Sequence, residues 1–181
     1  MSEAPGARSA GRRPPAWDSA SETLLREWRN RTAAAGAAHY VLASRLRKRN
    51  LWVGVPAVVF SSVVGTSLFA TLSRQEVNRW LRVVIGTVSV AAAVLAALQT
   101  FFRFPERAER HVLAADWYSA LRRQLDVLIA LPADERGPPK ESLDRIRKEM
   151  SRVGQQAPEI GQQLWSKVAR EHGIDEGPGP A

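Results

Sequence analysis

Two stretches without a single charged residue, Leu51–Leu72 and Val83–Phe102, constrain this chain more than any other feature. As a helix, LWVGVPAVVFSSVVGTSLFATL would extend roughly 33 Å, enough to cross a hydrocarbon layer of about 30 Å with modest tilt. VVIGTVSVAAAVLAALQTFF is of similar length, with Gln99 and Thr100 close to its end. A helix that is apolar all round needs apolar surroundings on every side, and a chain of 181 residues has little core in which to hide two of them. Trp52, Trp80, Phe101 and Phe102 stand at the segment ends, where aromatic rings favour a membrane–water boundary. The expected fold class is therefore an all-α membrane protein, a two-helix transmembrane hairpin extended by long cytoplasmic helices. The first run begins only at Leu51, too late for a secretory signal peptide.

The connector Ser73–Arg82 is short, so the spans are expected to be antiparallel neighbours with both chain ends on one side. Arg45, Arg47, Lys48 and Arg49 precede the first span, and Arg103, Arg107 and Arg110 follow the second. The connector carries Arg74, Arg79 and Arg82 beside Glu76. The surplus of cations at the flanks places both termini in the cytoplasm, with the protein in the inner (plasma) membrane. This distribution also accounts for the net charge of +8. No base-stacking aromatics interleave with the basic residues, so no nucleic-acid partner is expected.

Around the hairpin, residues 1–16 read as a disordered basic tail of Pro, Gly, Ala, Ser and Arg. Residues 17–171 form the ordered domain. Ser19 with Glu22 fits a capping box and opens a cytoplasmic helix over 17–50 that continues into the first span. Leu24, Trp28, Ala35, Leu42 and Leu46 mark its apolar stripe. Pro56 is expected to remove a backbone bond inside the first span. A second cytoplasmic helix occupies 103–131, opened by Pro105, with Val112, Ala115, Tyr118, Leu125 and Ile129 on one face. After a Pro/Gly loop, 140–171 holds helices near Lys140–Arg152 and Glu159–Glu171, the latter introduced by Pro158. Residues 172–181 are expected to fray.

Catalytic chemistry finds no carrier. Phosphate loops, HExxH and GxSxG are missing, and there is no cysteine to act as nucleophile or metal ligand. His39, His111 and His172 pair with no carboxylate at a metal-ligand spacing. The reading is of a non-enzyme with no cofactor and no metal site. Neither span holds an ionisable residue, which leaves proton-coupled transport without a relay. What the spans do hold is small residues at helical spacing: Ala57, Ser61 and Gly65 on the first, Ser89, Ala93 and Ala97 on the second. Small faces let helices approach closely, either within one hairpin or between copies.

Several positions resemble a known family. His39-Tyr40 through Arg45, Asn50 and Leu51, then Gly54–Pro56, lead into the first span. Leu98–Thr100, Pro105-Glu106-Arg107-Ala108, His111 and Tyr118–Leu121 follow the second, and Ala157-Pro158 comes late. Over roughly Trp17 to Arg170 the chain resembles the SLATT family, two-transmembrane effector domains that associate with SMODS nucleotidyltransferases and SLOG sensor domains. The resemblance implies a bacterial anti-phage effector that perforates the inner membrane when an upstream system signals. Its partners would be the lipid bilayer, further copies of itself as a homo-oligomer, and a separate nucleotide-signalling or sensor protein. On that reading Ala57, Ser61, Gly65, Ser89, Ala93 and Ala97 form the oligomer or pore face. His39, Tyr40, His111 and Tyr118 are the candidate contacts between the cytoplasmic helices. The competing expectation is a membrane scaffold whose spans merely anchor a helical docking platform.

Overall fold

The computed structural model describes residues 17–72 and 78–174, and every regular element among them is helical. The tail placed at 1–16, the first half of the 73–82 connector and most of the 172–181 tail lie outside the described residues. Five helices follow in order: α1 Ser19–Leu72, α2 Arg79–Phe102, α3 Phe104–Ala130, α4 Pro139–Gln156 and α5 Gln162–Glu171. The first half of α1 packs along α3 as a helical base, with α4 against α3 and α5 against α1. The second half of α1 pairs with α2 as an apolar hairpin. Two helices are long and apolar enough to cross a membrane.

A seven-residue column runs the length of α1. Leu25, Thr32, His39, Leu46, Val53, Phe60 and Ser67 are all buried or half-buried. Phe104, His111, Tyr118 and Leu125 form the matching column on α3, and Ile85, Ala92 and Gln99 that on α2. A period of 3.5 keeps one seam facing its partner, whereas an i, i+4 series drifts off it by about 40° per step. Alanines and glycine let the base helices approach closely: a Cβ added at Gly36 would sit 3.6 Å from the Ala115 carbonyl oxygen. The base core comprises two groups. Ala34, Ala35, Ala38 and Tyr118 meet Val153, Leu164, Trp165 and Val168, while Leu25, Leu121, Leu125 and Leu128 meet Ile146.

Several boundaries differ from the sequence reading, each for a local reason. The Ser19–Glu22 capping box does not form. Asp18 caps α1 instead, its carboxylate accepting from the Ser21 amide at 2.8 Å, and Glu22 turns to Arg136. α2 begins at Arg79, four residues before the charge-free run, because the Asn78 side chain accepts from the Trp80 amide at 3.0 Å. α5 begins at Gln162 rather than near Glu159. The Gly161 carbonyl accepts the first amide bonds of that helix, from Leu164 and Trp165. Between α2 and α3 the chain breaks at Arg103, the one non-glycine residue with positive φ among the described residues (φ 45°, ψ 44°). Pro105 explains the break: its ring would collide with the Phe101 carbonyl in a continuous helix, and it bears no amide hydrogen to bond it.

Candidate functional site

From Val64 down through Phe60, Ala57 and Val53, the α1 side of the hairpin seam is apolar until its base-proximal end. There Gln99 Nε2 donates to Asn50 Oδ1 at 3.2 Å, and the Gln99 amide lies over Gly54. A Cβ at Gly54 would come within 2.8 Å of the Gln99 nitrogen, so the glycine makes room for the polar pair. Ser62, Thr66, Thr87 and Thr100 each return their hydroxyl to a backbone carbonyl of their own helix. This satisfies polar groups without calling on a partner.

The small-residue faces divide. Ala57 is buried on the seam, but Ser61, Ser89, Ala93 and Ala97 are exposed on the hairpin's outer surface. Gly65 is half-buried with open space where a Cβ would be. The i, i+4, i+8 spacing therefore does not follow the closing seam, which steps alternately by three and four residues through Val53, Ala57, Phe60 and Val64.

Below the hairpin the structure brings three of the four proposed cytoplasmic contacts together. His39 and His111, each in its seven-residue column, meet with Nδ1 atoms 2.9 Å apart. Their ring centroids lie 5.2 Å apart, and Tyr118 stacks on His39 at 5.6 Å with planes only 16° apart. Both imidazoles are buried, His39 almost completely at 1% exposure. Burial drives the pKa of His39 down to about 4, with repulsion from His111 adding to the effect. Burial, and then the nearby Arg107 charge, also lower His111. Both rings are therefore neutral at pH 7, and one Nδ1–H donates to the other ring's Nδ1 lone pair. Tyr40, the fourth, faces outward. Its hydroxyl donates to Asp116 at 2.6 Å, and that hydrogen bond raises its pKa.

Tyr118 joins the imidazole pair to a cavity of about 390 Å³ between α1, α3 and α4, where Arg31, Thr32, Met150 and Gln155 also stand. Burial raises the Tyr118 pKa, so its hydroxyl is protonated at neutral pH. No group of three or more His, Cys, Asp or Glu side chains among the described residues is placed to hold a metal ion.

A further polar centre was not anticipated from sequence. The nearly buried Arg136, in the α3–α4 loop, pairs with Glu22 at the start of α1. It also donates to the carbonyls of Leu131 at 2.7 Å and Ile129 at 3.0 Å, and stacks over Trp17. Trp17 in turn donates to the Gly137 carbonyl. The only sequence signal was an arginine inside a Pro/Gly loop; its partner lies 114 residues away.

The class defined by the described residues is an apolar two-helix hairpin carried on a helical base with a buried imidazole pair in its seam. No family model, no curated protein and no solved structure matches the chain.

Proposed function

We propose that this chain is a membrane effector of a bacterial anti-phage defence system, which assembles with copies of itself and permeabilises the inner membrane when a partner or nucleotide signal arrives. The carrying observation is that the hairpin's apolar surface is uncovered. Of the most apolar 18-residue windows in its two helices, only 11% and 6% of residues are buried. Leaving that much hydrocarbon in water costs about 25 cal/mol per Å², so a bilayer is the solvent that fits it. The exposed rings of Trp52 and Phe101 at the base end and Trp80 at the far end suit the two interfaces. Exposed Arg45, Arg47, Lys48, Arg49, Arg107 and Arg110 beside the base end favour a cytoplasmic base. The defence context rests on the resemblance to the SLATT family.

Two helices cannot enclose water, so a pore needs several hairpins around an axis. Ser61, Ser89, Ala93 and Ala97 suit such contacts because the hairpin's own seam leaves them outside. Dye release from liposomes tests the proposal. Release should rise steeply with protein-to-lipid ratio, and Ser61→Leu or Ser89→Leu should reduce it several-fold. Liposomes that stay tight at every ratio, with or without candidate nucleotides, would overturn the pore and leave a membrane scaffold.

A further inference from the structure

We propose that the His39–His111 pair is a proton-operated latch between α1 and α3, closed when both rings are neutral and released when both are charged. The proposal stands whether or not the hairpin forms a pore.

The geometry carries it. The two rings meet Nδ1 to Nδ1 at 2.9 Å, a distance that requires one donor and one acceptor. The ring that donates from Nδ1 can take a first proton at Nε2 and keep the bond. A second proton must go to the accepting Nδ1. Two N–H groups then face each other with no lone pair between them, on two cations buried in one seam. No carboxylate is among the charges that act on either ring. On α3 the group acting on the pair is Arg107, itself a cation, and Tyr118 stacks as a neutral phenol. On α1 the neighbouring Tyr40 is engaged by Asp116 on the outer surface, with Arg123 near it. Arg31 acts on Tyr118 and is again positive. From α4 and α5 the surrounding cluster receives apolar side chains such as Val153, Trp165 and Val168, and the polar α4 residues that line the cavity beside Tyr118 (Ser151 and Gln155) are uncharged. The lowered pKa values of both imidazoles fit this setting, and they keep the latch closed at neutral pH.

The position makes release consequential. His39 is twelve residues before Leu51, about 18 Å along an unbroken helix that becomes the hairpin's first arm. His111 lies nine residues after Phe102, beyond the Arg103 break. Parting the rings therefore separates the base of one arm from the base of the other.

The test uses the full chain in lipid nanodiscs. Because the chain has no cysteine, Ser44→Cys and Leu113→Cys give unique spin-label sites on the exposed sides of α1 and α3. Dilution with unlabelled chain keeps the measured distances intramolecular. The expected result is one narrow distance distribution at pH 8 that lengthens or broadens as the pH falls from 6.5 to about 4. With His39→Gln and His111→Gln combined, the distribution should no longer respond to pH. Distances that stay unchanged from pH 8 to pH 4 would overturn the latch, as would an identical response in the double variant. If that variant does not fold, histidine-labelled wild-type chain decides by nuclear magnetic resonance. Ring protonation that coincides with the distance change supports the latch; a distance change while both rings remain neutral overturns it.

Discussion

Replacing Arg136 by alanine should loosen the start of α1 from the rest of the base, and the magnitude follows from what the guanidinium holds. The side chain is 9% exposed and Glu22 is 29% exposed, so the pair is largely but not fully withdrawn from water. Breaking a fully buried ion pair costs about 3–5 kcal/mol; Glu22 keeps part of its hydration, which lowers that to about 2 kcal/mol. The carbonyls of Ile129 and Leu131, at the end of α3, lose their donor as well, at about 0.5–1 kcal/mol each. The expected total is about 3–4 kcal/mol for Arg136→Ala. Arg136→Lys should recover only about half, because a compact ammonium cannot serve three acceptors spread around a planar fork. The assays are equilibrium unfolding in detergent micelles and amide hydrogen exchange over Ser19–Arg29. Exchange there should quicken well before that of α2. Equal stability of wild type, Arg136→Ala and Arg136→Lys within about 0.5 kcal/mol would refute the reasoning. So would a double-mutant cycle with Glu22→Ala that shows no coupling.

Three other substitutions or conditions probe the seam. Gly36→Ala should stabilise the base by about 0.5–1 kcal/mol, since its Cβ would meet only ordinary contacts at 3.6 Å and helix propensity improves; thermal unfolding reads the gain. Gly54→Leu should displace Gln99, break its bond to Asn50 and raise hydrogen exchange at the base-proximal end of the hairpin. Acidification should destabilise the wild type between pH 6.5 and about 4. In that interval the unfolded chain binds a proton on His39 that the folded chain refuses. The loss is on the order of 3 kcal/mol for His39, with His111 contributing in the same direction; above pH 6.5 these two rings add no pH dependence. Unfolding curves across that range should flatten in the His39→Gln, His111→Gln variant.

The hairpin was legible because a charge-free run of about 20 residues is a one-dimensional signal that needs no knowledge of tertiary contacts. The base was only half legible. The stripe Leu24, Trp28, Ala35, Leu42, Leu46 lies near the packed face, yet it skips Leu25, Thr32 and His39, which are the most buried members of the α1 column. An apolar-residue count passes over a threonine and a histidine, although both sit squarely on the seam. Thr32 can do so because its hydroxyl bonds back to the carbonyls of Trp28 and Arg29. His39 can do so because another histidine, 72 residues away, completes it. No local spacing encodes such a pair, nor the Arg136–Glu22 tie. The capping box failed for a related reason: Asp18 stood one residue earlier with a better acceptor, and Glu22 had a distant cation to reach.

The two arms of the hairpin enter the base differently, and this asymmetry ties the parts together. α1 is one helix from Ser19 to Leu72, so a displacement of its lower half is carried upward as a lever; Pro56 removes one backbone bond along it without ending it. The other arm is interrupted. At Arg103 the backbone turns left-handed, a conformation that costs a non-glycine residue about 1 kcal/mol, and Phe104 and Pro105 restart the helix below it. Phe104 then packs with Ala108 against Leu46, and Val53 packs on them, so the joint is braced at the foot of the hairpin. A base that opens at the imidazole pair would therefore move the first arm as a rod. The second arm would take up the change at Arg103, where the helix hydrogen bonds are already interrupted. Such a movement would have to break the Tyr40–Asp116 bond beside the imidazole pair and, between the joint and the hairpin seam, the Gln99–Asn50 bond.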